Sequence, residues 1–186
     1  MDHELTTTFQ IDNHITLRTF VESDVEMVFN TALRNCDHLS EFMHWMTADY
    51  SLSSAEEFIT RSIAAVASKS SLGFGMFRDE RFIGSIGFTY FDWQARKTEI
   101  GYWIDKREEG NGIVTKSCKR LVRYAFEDLN MNRIEIRCST ENARSAAIPE
   151  RLGFRKEGVL RQAELRNGRL LDFSVYGLLA ADPLVW

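Results

Sequence analysis

The hydrophobic period of the chain changes along its length, and each change marks an element. Residues 72–78 and 81–91 are β-rich runs joined by the polar pair Asp79-Glu80, which predicts a hairpin, and residues 97–104 supply a third strand. From 112 to 129 the period becomes helical. Val114, Cys118, Leu121, Val122, Ala125 and Leu129 fall on one face, with Lys116, Lys119, Arg120 and Arg123 mostly elsewhere. Residues 133–139 alternate again, Ile134, Ile136 and Cys138 against charged neighbours, and predict a strand. A short helix follows over 142–152 and ends at Gly153.

The flanks complete the pattern. Residues 15–20 read as a short strand, Asp24 as the N-cap of a helix to about Arg34, and Ser54 or Ser53 as the cap of another through about Ser68. At the far end Asn167-Gly168 lies between runs 159–166 and 169–179. A type I′ turn favours that dipeptide because both positions need positive φ. The order is α+β with a mixed sheet.

At 186 residues, 44% hydrophobic and 27% charged, the chain has the size and composition of one globular domain spanning 1–186. The amino terminus is polar and holds Asp2 and Glu4, without the basic start and apolar centre of a secretory signal, so the expected location is cytoplasmic. No apolar run approaches the ~18–20 residues of a membrane span. Cys36, Cys118 and Cys138 are odd in number, with no C-x-x-C pair, which disfavours a disulfide framework and a zinc site; no metal is expected. The net charge of −4 argues against general nucleic-acid binding. It is unevenly spread: the first 60 residues hold eleven acids and two bases, so the remainder is net basic. The first part can attract cations and the second can hold an anion.

Candidate chemistry concentrates at two places. Arg107-Glu108-Glu109-Gly110-Asn111-Gly112 joins the third strand to the long helix. Its glycines allow a sharp turn and close approach of a ligand to the backbone, and the unpaired N–H groups of the helix start form an anion site. G-K-[ST] is absent, as is the six-residue dinucleotide fingerprint, so nucleoside triphosphates and dinucleotides are disfavoured. The second place is Asn142-Ala143-Arg144-Ser145, shortly before Leu152-Gly153-Phe154.

Together these motifs resemble the GNAT acetyltransferase superfamily, whose pattern runs from an R/Q-x-x-G-x-G/A loop to an N-x-x-S helix and an L-G-F turn. Glu99-Ile100-Gly101-Tyr102-Trp103-Ile104, Leu129-Asn130-Met131-Asn132-Arg133, Asn167-Gly168-Arg169 with Asp172 and Tyr176, and Ile15-Thr16-Leu17-Arg18 resemble its RimJ/RimL branch. The departures are Pro149 inside the second motif helix and Leu170-Leu171 before Asp172. Pro149 has no N–H and would clash with the Ser145 carbonyl, which predicts a kink or a restart of the helix there.

The resemblance implies a mostly antiparallel central sheet, splayed in the middle, with helices on both faces. It also implies acetyl-CoA as cosubstrate and direct transfer to an amine acceptor, without a covalent enzyme intermediate. The pyrophosphate would lie on Arg107, Gly110, Asn111 and Gly112 and on the helix start with Ile113 and Thr115. The pantetheine arm would lie beside Trp103 and Ile104, with Asn142 bonding to it; Asn142 reads equally as the N-cap of its own helix. Ser145 would protonate the departing thiolate, or satisfy the first helical turn. Glu99 shares a strand face with Gly101 and Trp103 and is the expected base, directly or through water, the alternative being a pair with Lys97 or Arg96. His44 is a second candidate base, and Phe42 and Trp45 are expected to wall the acceptor pocket. The branch implies a protein N-terminal α-amine as acceptor. A small amine, such as a polyamine, amino acid or drug, and a non-catalytic acetyl-CoA-binding module stay open, as does a homodimer.

Overall fold

The computed structural model describes residues 4–186. Asp2, cited for the polar amino terminus, lies outside the described residues. The strands are β1 (Thr8–Gln10), β2 (Ile15–Thr19), β3 (Leu72–Arg78), β4 (Arg81–Asp92), β5 (Lys97–Ile104), β6 (Arg133–Ser139), β7 (Arg155–Arg166) and β8 (Arg169–Leu179). They form one sheet in the order β1-β2-β3-β4-β5-β6-β8-β7. Neighbours are antiparallel except β5 and β6. A helical crossover separates those two in sequence, as a parallel pair requires.

The parallel pair is short. Its register runs Lys97↔Arg133, Thr98↔Ile134 and Glu99↔Glu135, and no further. β5 continues to Ile104 and β6 to Ser139, so the strands diverge beyond Glu99 and leave a fork in the middle of the sheet.

The helices are α1 (Val25–Arg34), α2 (Cys36–Ser40), α3 (Leu52–Ser68), α4 (Ile113–Arg123) and α5 (Ala143–Arg151). Alternation along the strands feeds two separate cores. Leu17, Phe74, Ile86, Ile100 and Ile136 pack with Cys118, Leu121 and Val122 of α4. Phe20, Phe77 and Phe82 pack instead with Val28 of α1 and with Ala55 and Ile59 of α3. Each fully buried aliphatic or aromatic side chain contributes about 1.5–3 kcal/mol, so the first layer fixes strands from both sides of the fork on α4 and the second fixes β3 and β4 on α1 and α3.

Four expectations need correction. Asp24 is the N-cap residue of α1 as expected, but its side chain makes no capping bond there: the buried carboxylate accepts two bonds from Arg18 at 2.7 Å and one from the Val21 N–H at 2.9 Å. The charge-assisted fork from Arg18 outcompetes the helix end for the same oxygens. The N-cap of α3 is Ser51 rather than Ser53 or Ser54, and the Ser51 N–H donates to Ser54 Oγ at 3.3 Å. The helix expected to reach Leu129 leaves α geometry at Arg123 and continues as a π turn over Tyr124–Asp128. Leu129 N bonds back to Tyr124 O at 3.0 Å, and the wider turn still buries Tyr124, Ala125 and Leu129. Finally, of the kink or restart expected at Pro149, the restart is absent: α5 passes through the proline to Arg151. The proline lies in the last turn, where one main-chain bond is lost.

Candidate active site

The fork begins at Glu99, the last residue of β5 paired with β6. Its carboxylate is 21% exposed and 3.3 Å from Arg137 Nε of β6. Burial raises its pKa above the ordinary carboxylate range; Arg137 opposes that rise and Glu135 adds to it. Lys97, named with Arg96 as the alternative partner of Glu99, pairs instead with Glu135 at 3.9 Å.

Past Glu99 the two faces of β5 diverge in chemistry. Trp103 turns to the α1–α3 side, where its ring lies 5.7 Å from both Trp45 and Phe82. Tyr102 turns the other way, toward α5. Its hydroxyl donates to the Ser145 carbonyl at 3.1 Å and accepts from Ser145 Oγ at 3.2 Å. Burial keeps Tyr102 protonated by raising its pKa well above 10, although the bond from Ser145 pulls the other way. Cys138, buried on β6, completes this side, and burial raises its thiol pKa too. Asn142 takes up its capping role: its Oδ1 accepts from the Ser145 N–H at 3.0 Å.

Ile104 ends β5 opposite Gly84, and the glycine loop follows. Gly110 and Gly112 adopt φ of 77° and 71°, and Gly112 is the N-cap of α4. No side chain caps that helix and no acid lies in its first turn, so the N–H groups of Ile113, Val114 and Thr115 lack intrahelical acceptors. A Cβ built at either glycine meets nothing within 4 Å. The loop is therefore an open cradle of donors with room for a phosphate. The acids within it are already matched. Glu108 pairs with Arg78 and Arg81, while Glu109 pairs with His38 at 2.9 Å and with Arg144. Arg107 lies at the rim; its guanidinium and N–H are held by buried Asp105, which also accepts from Arg34. Asn111 Nδ2 donates to the Glu108 carbonyl at 3.2 Å, closing the turn.

A cleft of about 810 Å³ runs from the fork toward α3 and the β7–β8 hairpin. Glu99, Tyr102, Asn142 and Ser145 line one end, and Phe42, Trp45, Tyr50 and Phe173 line the other. Phe42 is tied to the hairpin by Arg166, which donates to its carbonyl at 3.3 Å. His44 lines the cleft as an exposed residue, and its pKa is lowered by partial desolvation of the ring against the cleft wall and then by Arg166 and Arg61.

Sequence reasoning missed Tyr102, Arg137 and Cys138. Alternation did carry a signal: Arg137 lies two residues past Glu135, and Glu135 is paired with Glu99. Tyr102 lies one residue off the face that was followed.

A fork in a mixed sheet, an open helix start beside it, and a carboxylate and a hydroxyl pair in one cleft suit acyl transfer from a phosphate-bearing thioester. The chain belongs to the GNAT acetyltransferase family, whose acetyltransferase (GNAT) domain matches residues 14–155. It is an acetyl-CoA-dependent N-acetyltransferase. The chain is 34% identical over 176 residues to YdaF of Bacillus subtilis (strain 168), provisionally named a ribosomal N-acetyltransferase, with 94% of this chain and 96% of that one covered. It is 24% identical over 172 residues to the ribosomal-protein-serine acetyltransferase of Escherichia coli (strain K12), covering 92% and 96%. Among solved structures, the microcin self-immunity acetyltransferase MccE in complex with acetyl-CoA and AMP gives a TM-score of 0.88 at 25% identity, covering 95% and 98%. RimL, a ribosomal α-N-protein acetyltransferase in complex with coenzyme A, shares the fold with a TM-score of 0.89 at 24% identity, covering 94% and 99%. Among the described residues no helix is long and apolar enough to cross a membrane, and no group of His, Cys, Asp or Glu could hold a metal.

Proposed function

We propose that this enzyme acetylates the N-terminal α-amine of a ribosomal protein by direct transfer, with Glu99 as the base. The observation that carries the reading is the position of Glu99, a partly buried carboxylate of raised pKa at the fork, in one cleft with Ser145. Burial makes it a stronger base than an ordinary carboxylate, and an α-amine of pKa about 8 needs less help than a lysine of about 10.4. The names of the relatives in Bacillus subtilis and Escherichia coli point to the same acceptor class.

The cosubstrate pyrophosphate is assigned to the N–H groups of Ile113 and Thr115, with Arg107, Gly110, Asn111 and Gly112 shaping the loop. The pantetheine arm runs along the free edge of β5 at Trp103 and Ile104, beside Asn142. Unpaired main-chain N–H groups there polarise the thioester carbonyl. The amine enters past Phe42 and Trp45, gives its proton to Glu99 directly or through a water, and attacks the carbonyl. Sulfur departs and takes a proton from Ser145. We assign the chain one domain and a cytoplasmic location, which the three free cysteines favour. Two copies would associate along edge strand β7, which exposes Val159, Leu160 and Leu165; a monomer in equilibrium sedimentation would exclude that pairing.

Thiol release from acetyl-CoA tests the reaction. Peptides with a free N-terminus should turn over, while peptides blocked at the N-terminus but carrying lysine should not. Turnover with spermidine or free amino acids alone would move the assignment to small amines.

A further inference from the structure

Ser145 by itself is a poor proton donor. A serine hydroxyl does not ionise in the range where a thiol of about 8.5 or a phenol of about 10 does. A proton handed from Ser145 to a leaving thiolate has to be replaced as it leaves. The structure holds a source of that proton at hydrogen-bond distance.

Pro149 lies four residues after Ser145 in α5 and has no N–H, so the Ser145 carbonyl is denied its helical donor. A carbonyl left unpaired in a partly buried site would cost about 1–3 kcal/mol. Here the phenol of Tyr102, from β5, supplies the missing donor at 3.1 Å. A carbonyl oxygen can only accept, which fixes where the phenolic proton points. The second contact, 3.2 Å between Tyr102 and Ser145 Oγ, then has the serine as donor. The proton order at rest is Ser145 Oγ–H to Tyr102 Oη–H to the Ser145 carbonyl.

We propose that Tyr102 is the proton source behind Ser145, and that Pro149 is the positioning residue that holds Tyr102 ready by leaving that carbonyl open. The proposal rests on the acyl-transfer reading above. As the carbon–sulfur bond breaks, the sulfur keeps its electron pair and takes the Ser145 hydroxyl proton. The Tyr102 proton swings from the carbonyl to Ser145 Oγ. The products are a neutral thiol, a neutral serine and a tyrosinate, which solvent in the cleft then reprotonates. The atoms balance without a metal, an oxidant or a further reactant. Burial raises the Tyr102 pKa, so the phenol starts each turnover protonated, and the tyrosinate it leaves takes a proton back from solvent readily.

Tyr102→Phe keeps the ring and removes only the hydroxyl. Its kcat should fall about 10²-fold, the scale of a general acid, with the KM for acetyl-CoA and its calorimetric affinity unchanged. Pro149→Ala returns an N–H to the Ser145 carbonyl and frees the phenol from it; kcat should fall about fivefold, as for one misdirected hydrogen bond. The double variant decides between a shared and a separate role. It should be no slower than Tyr102→Phe alone, because Pro149 acts only through the phenol. Multiplied losses, or a Tyr102→Phe enzyme at full rate, would overturn the relay. A wild type that releases no thiol with any amine would instead overturn the acyl-transfer reading.

Discussion

The two ends of the cleft are built by different means. The end we assign to the cofactor comes from residues 99–154, and much of what it offers is main chain: two left-handed glycines, an uncapped helix start and the unpaired length of β5. The end we assign to the acceptor is assembled by side chains from distant stretches, with Phe42, Trp45 and Tyr50 set against Arg166 and Phe173. Asn167 and Arg166 of the β7–β8 hairpin reach the carbonyls of Ser40 and Phe42 to close it. A ligand read by backbone geometry leaves its trace in local motifs. A ligand read by converging side chains leaves little.

The strongest way to break this contrast is at the point where the ends meet. Glu99→Gln should lower kcat/KM about 10²-fold near neutral pH, and rising pH should restore part of the rate by supplying free amine. In the wild type the acid limb should lie above the ordinary glutamate value of about 4.3, because burial raises the Glu99 pKa and activity is lost as pH falls through it. A variant at full rate over the whole range would leave His44 or water as the base.

At the cofactor end the expected effect is smaller and specific to binding. Gly112→Val places a β-branched residue at φ 71°, which strains the turn even though a Cβ there meets no protein atom within 4 Å, so circular dichroism first checks that the variant is folded. Coenzyme A affinity measured by calorimetry should drop about tenfold, equivalent to about 1.4 kcal/mol. Unchanged affinity would remove the backbone-recognition argument.

The smallest effect concerns the support beneath the loop. Burial alone would raise the Asp105 pKa, but hydrogen bonds from Arg107 and Arg34 hold it well below the usual carboxylate range. A depressed carboxylate contributes stability that is fully present above its unfolded value of about 3.9 and is lost as pH falls toward the folded one. Asp105→Asn should therefore cost about 1 kcal/mol at neutral pH, discounted for its half-exposed arginine partners, and should flatten the acid limb of the Tm–pH curve.

Much of this was legible in the chain. β5 and β6 follow alternation that a reader can see, and Asn167-Gly168 sits where its positive φ angles are needed. β1 and α2 were missed because three and five residues are too short to show a period. Ser51, Ser53 and Ser54 offer three similar caps, and only the fold selects Ser51. The π turn keeps the same residues buried as an α-helix would, so hydrophobic spacing is silent about it. Glu99, Asn142 and Ser145 stand out in the chain because strand alternation and the N-x-x-S motif single them out. Tyr102 does not, because its partner is a main-chain carbonyl 43 residues away, uncovered by a proline that sequence reasoning counted only as a disruption.

The brevity of the β5–β6 pairing has a consequence for the lifetime of the protein. Three registered residues join two otherwise antiparallel blocks, β1–β5 and β6–β8, so main-chain pairing is sparsest along that seam and the core shared on α4 does most to hold it; local opening is expected there first. Amide hydrogen exchange should therefore resolve two levels of protection, one for each block. A ligand lying in the fork touches both, and at a hundred times its dissociation constant it adds about 2.7 kcal/mol against opening. Susceptibility to proteolysis should then rise as acetyl-CoA falls, so that scarcity of the acyl donor shortens the survival of the enzyme that spends it.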